Sequence, residues 1–192
     1  MIYHIVPITF RGAEVYADLS ARIDKTGKPV CPVTSFISTY ENKVDKKGRV
    51  SVPAAYRNAL ANEPYQGIIA YPSLTEPALE GFGRRTLEEL NQRRFDQTMA
   101  AGNFGETLVG RSHDGLVETI MALANELPFD NEGRILLPKH LADHAGILTQ
   151  AKFVGRGTRF QIWAPKEFEK HQQAEIESLR ARIANDQSRG QT

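Results

Sequence analysis

The chain has 192 residues, of which 41% are hydrophobic and 24% are charged, and its formal net charge is +1. These values are typical of a globular protein with a buried core, and they give no global indication of nucleic-acid binding, so any DNA-binding charge must be local. The single cysteine, Cys31, excludes an internal disulfide framework and a zinc site built from several cysteines. No apolar run approaches the roughly 20 residues that span a bilayer, and the apolar start lacks the basic residues of a signal peptide, so we expect a cytoplasmic protein without membrane contact.

The first 33 residues contain several prolines and glycines and have no counterpart later in the chain. We expect residues 1–34 to be a disordered extension or an over-called start, with Val33 marking the true initiator as a valine-type start codon. A peptide from residues 1–32 in the mass spectrum of the natural protein would contradict the second interpretation.

The next segment predicts a β-hairpin followed by a short helix. Residues 36–44 (FISTYENKV) are rich in β-branched and aromatic side chains, which favours a strand. DKKG at 45–48 predicts a turn, because Asp bonds to the nearby backbone and Gly accepts a positive φ. RVSV at 49–52 alternates as a second strand, and Pro53 suits the first position of a helix that continues to about Leu60.

The same pattern recurs 85 residues later. DKKGRVSVP at 45–53 and DNEGRILLP at 130–138 share Asp, Gly, Arg and Pro at identical spacing, with the apolar alternation in register. A single copy would be read as an ordinary solvated turn, but a generic turn has no reason to keep this set twice. The second copy predicts a helix near 139–145, and residues 68–82 correspond to 153–165 after a two-residue offset. Each unit is therefore expected to be β-β-α-β-β.

One such unit has too few strands to bury a core, so we expect the two units to interlock into one α+β, mostly β, barrel-like body. Apolar residues at helical spacing predict helices in the segment between the repeats, and a narrow stripe predicts a C-terminal helix, with a disordered end at 185–192. The apolar residues of the first pattern are Leu87, Leu90, Phe95 and Met99, then Leu116, Ile120 and Leu123; those of the second are Ile176, Leu179 and Ile183. The expected organisation is an extension at 1–34, repeat domains at 38–86 and 121–168, a helical insert at 87–120, and a C-terminal helix and tail at 169–192.

The arginine of the motif carries the candidate chemistry. Asp45 and Arg49 flank the turn four residues apart, so the carboxylate can orient the guanidinium for bidentate contacts to phosphate or to a guanine edge. The alternative is a surface salt bridge worth about 0–1 kcal/mol, which predicts the same geometry. The candidate DNA-binding residues are Lys43, Asp45, Lys46, Lys47, Arg49 and Arg57, with Asp130 and Arg134 of the second motif as weaker candidates.

The two copies differ in charge. Residues 41–60 hold five basic and two acidic groups, a net of +3, whereas residues 126–145 hold two basic and four acidic groups, a net of −2. Phosphate binding is driven by local positive charge, so we expect the first hairpin to dominate the contact with DNA. The second hairpin is expected to be a structural or assembly partner.

The two motifs, together with FVGRGTRFQIWAP at 153–165, resemble the MraZ family of bacterial transcriptional regulators, which are built from tandem SpoVT-AbrB domains. The resemblance covers about residues 35–170, and the paired D-x-x-x-R motifs followed by FxIW are specific to that family. It implies a swapped-hairpin AbrB-type fold and ring-shaped homo-oligomers. It also implies binding to short direct repeats of double-stranded DNA in the promoter of the division and cell-wall gene cluster, with repression of the protein's own operon in the nucleoid. The family's DNA-contacting motif falls on Asp45 to Arg49. The chain departs from the pattern in its N-terminal segment and in a somewhat longer insert at 98–121.

Two other classes of function compete with a regulator. His140 and His144 lie four apart on a predicted helix, a spacing that can seat a metal ion, but no third ligand or catalytic glutamate accompanies them. We therefore expect that the protein is not an enzyme and that it binds no cofactor or metal ion. An antitoxin or protein-interaction module of the AbrB superfamily is the nearer alternative, although such a protein usually has one hairpin and a disordered tail.

Overall fold

The computed structural model describes residues 35–100, 102 and 115–189, so the predicted extension at 1–34 lies outside the described residues. The described elements follow the predicted β-β-α-β-β order twice, and this prediction is confirmed. In chain order they are β1 (Thr39–Lys43), β2 (Arg49–Ser51), α1 (Ala54–Ala59), β3 (Gly67–Pro72), β4 (Ala78–Phe82), α2 (Arg84–Ala100), α3 (Gly115–Leu123), β5 (Asn125–Pro128), β6 (Arg134–Leu136), α4 (Lys139–His144), β7 (Gln150–Gly155), β8 (Phe160–Trp163) and α5 (Pro165–Arg189).

The two repeats interlock, as their short strands predicted. An antiparallel sheet of six strands has the order β1-β7-β8-β4-β3-β5, and β2 pairs with β6 in a separate two-stranded ladder. The pairs β1–β7, β4–β8, β3–β5 and β2–β6 each join one repeat to the other. The α+β, mostly β class is confirmed, but the strands do not close into a barrel. The edge strands β1 and β5 are not paired with each other, because β2 and β6, three residues each, form a ladder of their own between the two turns.

The short helices begin directly after the two prolines. Pro53 and Pro138 occupy the N-cap positions of α1 and α4, with extended ψ angles of 137° and 143°. Pro53 was predicted to occupy the first helical position, but it is the N-cap residue, one position earlier. At either position its missing N–H costs no helical hydrogen bond. After α4, Gly146 adopts a φ of +64°, a conformation that glycine accepts without strain and that ends a helix.

The six-stranded sheet is covered on both faces. Its inner face packs against α1, α4 and the β2–β6 ladder in a core that includes Val50, Tyr56 and Ile135. On the outer face Phe168 of α5 packs on Trp163, and Leu87 and Ile120 of α2 and α3 pack near the end of the sheet formed by β3 and β4. The β2–β6 ladder therefore has its buried side against the core and its other side toward solvent.

The predicted helices between the repeats and at the C-terminus are present. No residue of α2 is buried, and the side chains of Phe95 and Met99 are about half exposed. The prediction of a disordered end is wrong for residues 185–189, because α5 continues to Arg189. None of the helices in the described part of the chain is long and apolar enough to cross a membrane.

Candidate nucleic-acid interface

The first turn holds Asp45 and Arg49 in a fixed arrangement. Oδ1 of Asp45 accepts the backbone N–H groups of Lys47 (2.8 Å) and Arg49 (2.9 Å). Oδ2 accepts the Nε–H of Arg49 at 2.7 Å and lies 2.7 Å from its Nη2. Gly48 completes the turn with a φ of +79° and donates its N–H to the carbonyl of Asp45. One carboxylate thus fixes both the backbone of the turn and the plane of the guanidinium, as the spacing predicted.

This arrangement keeps Asp45 ionised and leaves Arg49 available. The hydrogen bond from the backbone N–H of Arg49, followed by the bond from its side chain, lowers the pKa of Asp45 from 3.8 to about 2. The Arg49 side chain is 36% exposed, and within the described part of the chain its Nη1 has no acceptor. Lys46 and Lys47 are exposed, and neither takes part in an ion pair with any described residue. The first turn therefore presents one oriented guanidinium and two exposed ammonium groups to solvent.

The second turn repeats the geometry but not the charge. Oδ1 of Asp130 accepts the backbone N–H groups of Glu132 and Arg134, both at 2.9 Å, and Oδ2 accepts the Nε–H of Arg134 at 2.8 Å. Glu132 occupies the position that Lys47 has in the first turn, and its carboxylate lies 2.7 Å from Nη1 of Arg134. The hydrogen bond to Asp130, with the charges of Asp130 and Glu132, raises the pKa of Arg134. Two carboxylates thus neutralise this guanidinium.

Both turns lie at the ends of one ribbon, the β2–β6 ladder. Val50 faces Ile135 at its centre, and both side chains are fully buried. Side chains alternate along a strand, so Arg49 and Ser51 of β2 and Arg134 and Leu136 of β6 lie on the opposite, outer side. The two motif arginines therefore share one face of a two-stranded ribbon. The sequence had predicted two separate hairpins and did not show that the arginines share a face.

Because the two repeats interlock, Arg57 of the first repeat packs against the second turn and not against the first turn. A Cβ built on Gly133 would collide with Nη1 of Arg57, so the guanidinium lies close over the second turn. Its Nε–H donates to the carbonyl of Val52, and the N–H of Val52 donates to the carbonyl of Gly133. The second turn thus has two arginines against two carboxylates, and the first turn keeps an excess of positive charge without Arg57.

The other candidate residues are spread more widely. Lys43 is exposed at the end of β1, two residues before Asp45, where its backbone pairs with Gln150. His140 and His144 are exposed on α4. Across the residues that the structure describes, no group of three or more His, Cys, Asp or Glu side chains could hold a metal ion.

Leu136 and Ser51, the two other residues of the outer ribbon face, were not among the predicted site residues. The signal was present, because the period of two in RILL places Leu136 on the same side as Arg134. In the structure Leu136 is 58% exposed.

Comparison with known proteins bears on the role of these turns. The model of one protein family, described as "MraZ protein, putative antitoxin-like", matches residues 120–190. The transcriptional regulator MraZ of Rickettsia canadensis (strain McKiel) is 44% identical over 138 residues, which cover 71% of this chain and 85% of that protein. The chain belongs to the MraZ family. A relative from Rickettsia rickettsii (strain Sheila Smith) is 45% identical over 138 residues, and one from Pelagibacter ubique (strain HTCC1062) is 42% identical over 135 residues. Both are also named transcriptional regulator MraZ, a name that describes a regulator and not an enzyme.

Proposed function

We propose that this MraZ-family protein is a sequence-specific DNA-binding transcriptional regulator that represses the division and cell-wall gene cluster, including its own operon. The observation that carries the proposal is the first turn, where Asp45 orients an exposed Arg49 beside Lys46 and Lys47. An oriented guanidinium makes bidentate contacts to a guanine edge, and neighbouring lysines bind phosphates without regard to sequence. The regulator names of the relatives support the same class of function.

The ribbon suits the major groove of DNA. That groove is about 12 Å wide and admits a two-stranded β-ribbon, so the solvent side of β2 and β6 can face base edges while the turns reach the backbone. Arg49 is the base-reading residue of this arrangement, and Lys46 and Lys47 hold the phosphates. Arg134 should bind a phosphate more weakly, because its guanidinium is already paired with Asp130 and Glu132.

The test is a titration of the protein with the duplex upstream of its own gene, followed by fluorescence anisotropy at several salt concentrations. We expect Arg49→Ala to weaken binding at least about fivefold, because one bidentate base contact contributes about 1–3 kcal/mol. The matched control is Lys170→Ala, which removes an exposed cation from α5, outside the ribbon, and should leave affinity unchanged. Equal losses for the two variants, or affinity that does not fall with salt, would refute the proposed function.

Assembly supplies the avidity that one turn lacks. We propose that the protein forms a ring-shaped homo-oligomer whose first turns engage successive direct repeats of the promoter. A few cations per subunit bind weakly at physiological salt, and linkage in a ring gains about 10²–10⁴ in apparent affinity when the repeat spacing fits. Inserting half a helical turn between repeats should therefore weaken binding as strongly as damaging one repeat. Affinity that is independent of the spacing would contradict the ring.

An antitoxin-type interaction module is the second candidate, which the words "antitoxin-like" in the family's description favour. Under that proposal a protein partner, not DNA, would be the main ligand. The oriented Arg49 has no necessary part in such a contact, so Arg49→Ala would leave partner binding intact. Loss of DNA binding together with unchanged partner binding would separate the two activities.

A further inference from the structure

The pairing of β2 with β6 brings a residue of the second repeat next to the arginine of the first. In the ladder, Arg49 lies directly opposite Leu136, and Ser51 lies directly opposite Arg134. The flanking hydrogen bonds run from Leu137 N–H to the Gly48 carbonyl and from Val52 N–H to the Gly133 carbonyl. The Arg49–Leu136 pair is therefore a non-hydrogen-bonded pair of the ladder, in which opposite side chains come closest, about 4.5–5.5 Å between Cβ atoms.

Leu136 is an apolar side chain on an otherwise polar surface, the outer face of the β2–β6 ribbon. It is 58% exposed, and it lies directly opposite Arg49 on the outer ribbon face. One of its methyl groups, Cδ1, lies 3.8 Å from the position of a Cβ built on Gly48, so the side chain reaches over the first turn. The core does not require this leucine, because Val50 and Ile135 supply the buried side of the ladder.

The repeat provides an internal comparison. Leu136 corresponds to Ser51, 85 positions earlier, so the first arginine faces a leucine and the second faces a serine. In this ladder the arginine of the more positive turn therefore lies opposite an apolar residue, and the other arginine lies opposite a polar one. Exposed apolar side chains on a DNA-facing surface recognise the 5-methyl group of thymine, the one apolar group on a major-groove edge.

We propose that Leu136 is a specificity-determining residue that packs on the methyl group of a thymine adjacent to the base read by Arg49. The inference rests on the proposed DNA binding and adds a base preference to it. Each first turn then reads a two-base step through residues of both repeats, with Arg49 on a guanine and Leu136 on the neighbouring thymine. The second turn, where Ser51 faces Arg134, has no such apolar contact.

The test replaces thymine by deoxyuridine, which pairs in the same way but lacks the methyl group, at single positions in the duplex upstream of the gene. For the wild-type protein we expect at least one position at which the substitution weakens binding about fourfold, as expected for one buried methyl group. Leu136→Ser, which copies the residue of the other repeat, should weaken binding to the thymine duplex by a similar factor. It should also be insensitive to deoxyuridine at that position, whereas Leu136→Met should stay sensitive.

Two binding results would overturn the inference: wild-type affinity that is unchanged by deoxyuridine at every position, or a Leu136→Ser variant that is as sensitive to deoxyuridine as the wild type. A change in the oligomeric mass of Leu136→Ser would also overturn it, because Leu136 would then be a subunit contact. The mass is measured by mass photometry, and circular dichroism should show an unchanged fold because the side chain is exposed. Failure of the proposed function is distinguishable, since it would abolish salt-dependent binding of the unmodified duplex or the effect of Arg49→Ala.

Discussion

Asp45 and Asp130 perform the same structural task with different electrostatic results. Each carboxylate binds two backbone N–H groups and the Nε–H of the arginine four residues later. The two residues between the aspartate and the glycine decide the charge that solvent meets. The first turn has two lysines there, whereas the second has Asn131 and Glu132, and Glu132 adds a second carboxylate to Arg134. These two positions therefore separate a cationic surface from a neutral one.

A carboxyl titration by NMR tests the geometry of the first turn. Asp45 should titrate near 2 in the wild-type protein. In Arg49→Ala the side-chain bond and the positive charge are lost, but the backbone N–H bond, which is the largest cause of the shift, remains. The pKa of Asp45 should therefore rise in this variant and still stay below 3.8. A pKa near 3.8 in the wild type would show that the turn is not held as described.

The direction of the shift fixes its effect on stability. Folding lowers the pKa of Asp45, so the ionised carboxylate stabilises the folded state above its ordinary pKa of 3.8. This contribution is lost as the pH falls from about 4 to about 2. Asp45 should therefore add no pH dependence to DNA binding between about pH 5 and 8, where it is ionised throughout.

At the scale of the elements, α1 of the first repeat supports the turn of the second. Gly133 has a φ of +71° and lies under the guanidinium of Arg57, whereas Gly48 has a φ of +79° and would place a Cβ 3.3 Å from the carbonyl oxygen of Leu137. Both glycines are required by the backbone, since other residues lose about 1–2 kcal/mol in this conformation. At position 133 a Cβ atom would also collide with the side chain of Arg57, which is a second reason for glycine there.

This difference predicts a coupling between Gly133 and Arg57. Gly133→Ala should lower the free energy of unfolding more than Gly48→Ala, because it adds displacement of Arg57 to about 1–2 kcal/mol of backbone strain. In an Arg57→Ala background the loss from Gly133→Ala should fall to that of Gly48→Ala. Urea denaturation of the four variants measures the coupling as a double-mutant cycle. Additive losses would show that Arg57 does not rest on the second turn.

The hairpins and short helices could be predicted because their signals are local. Asp, Gly and Pro set each turn and helix start within nine residues, and α4 ends at His144, within one residue of the predicted end. The end of α5 was missed because the polar composition of 185–189 is compatible with both an exposed helix and a disordered tail. The helical insert was recognised from its apolar spacing, but the spacing did not show that α2 would bury none of its residues.

At the scale of the whole molecule, the interlocked repeats decide what the candidate interface contains. The sequence predicted interlocking from the small size of each unit but not the register of β2 on β6, which places Arg49 beside Leu136. The contacts of Glu80 could likewise not be predicted from the sequence. It is buried on β4 and accepts hydrogen bonds from Ser73, Arg159 and Gln161, two of them in the other repeat. Contacts between residues about 80 positions apart leave no local pattern.

The asymmetry of the two turns is the central claim, and it is tested most directly by comparing Arg49→Ala with Arg134→Ala in one titration of the upstream duplex. Both variants remove one guanidinium from the same ribbon face, and circular dichroism and mass photometry report fold and assembly for each. We expect Arg49→Ala to weaken binding about tenfold to a hundredfold and Arg134→Ala to weaken it only a few-fold, because Asp130 and Glu132 already neutralise Arg134. An equal or larger loss for Arg134→Ala would contradict the account.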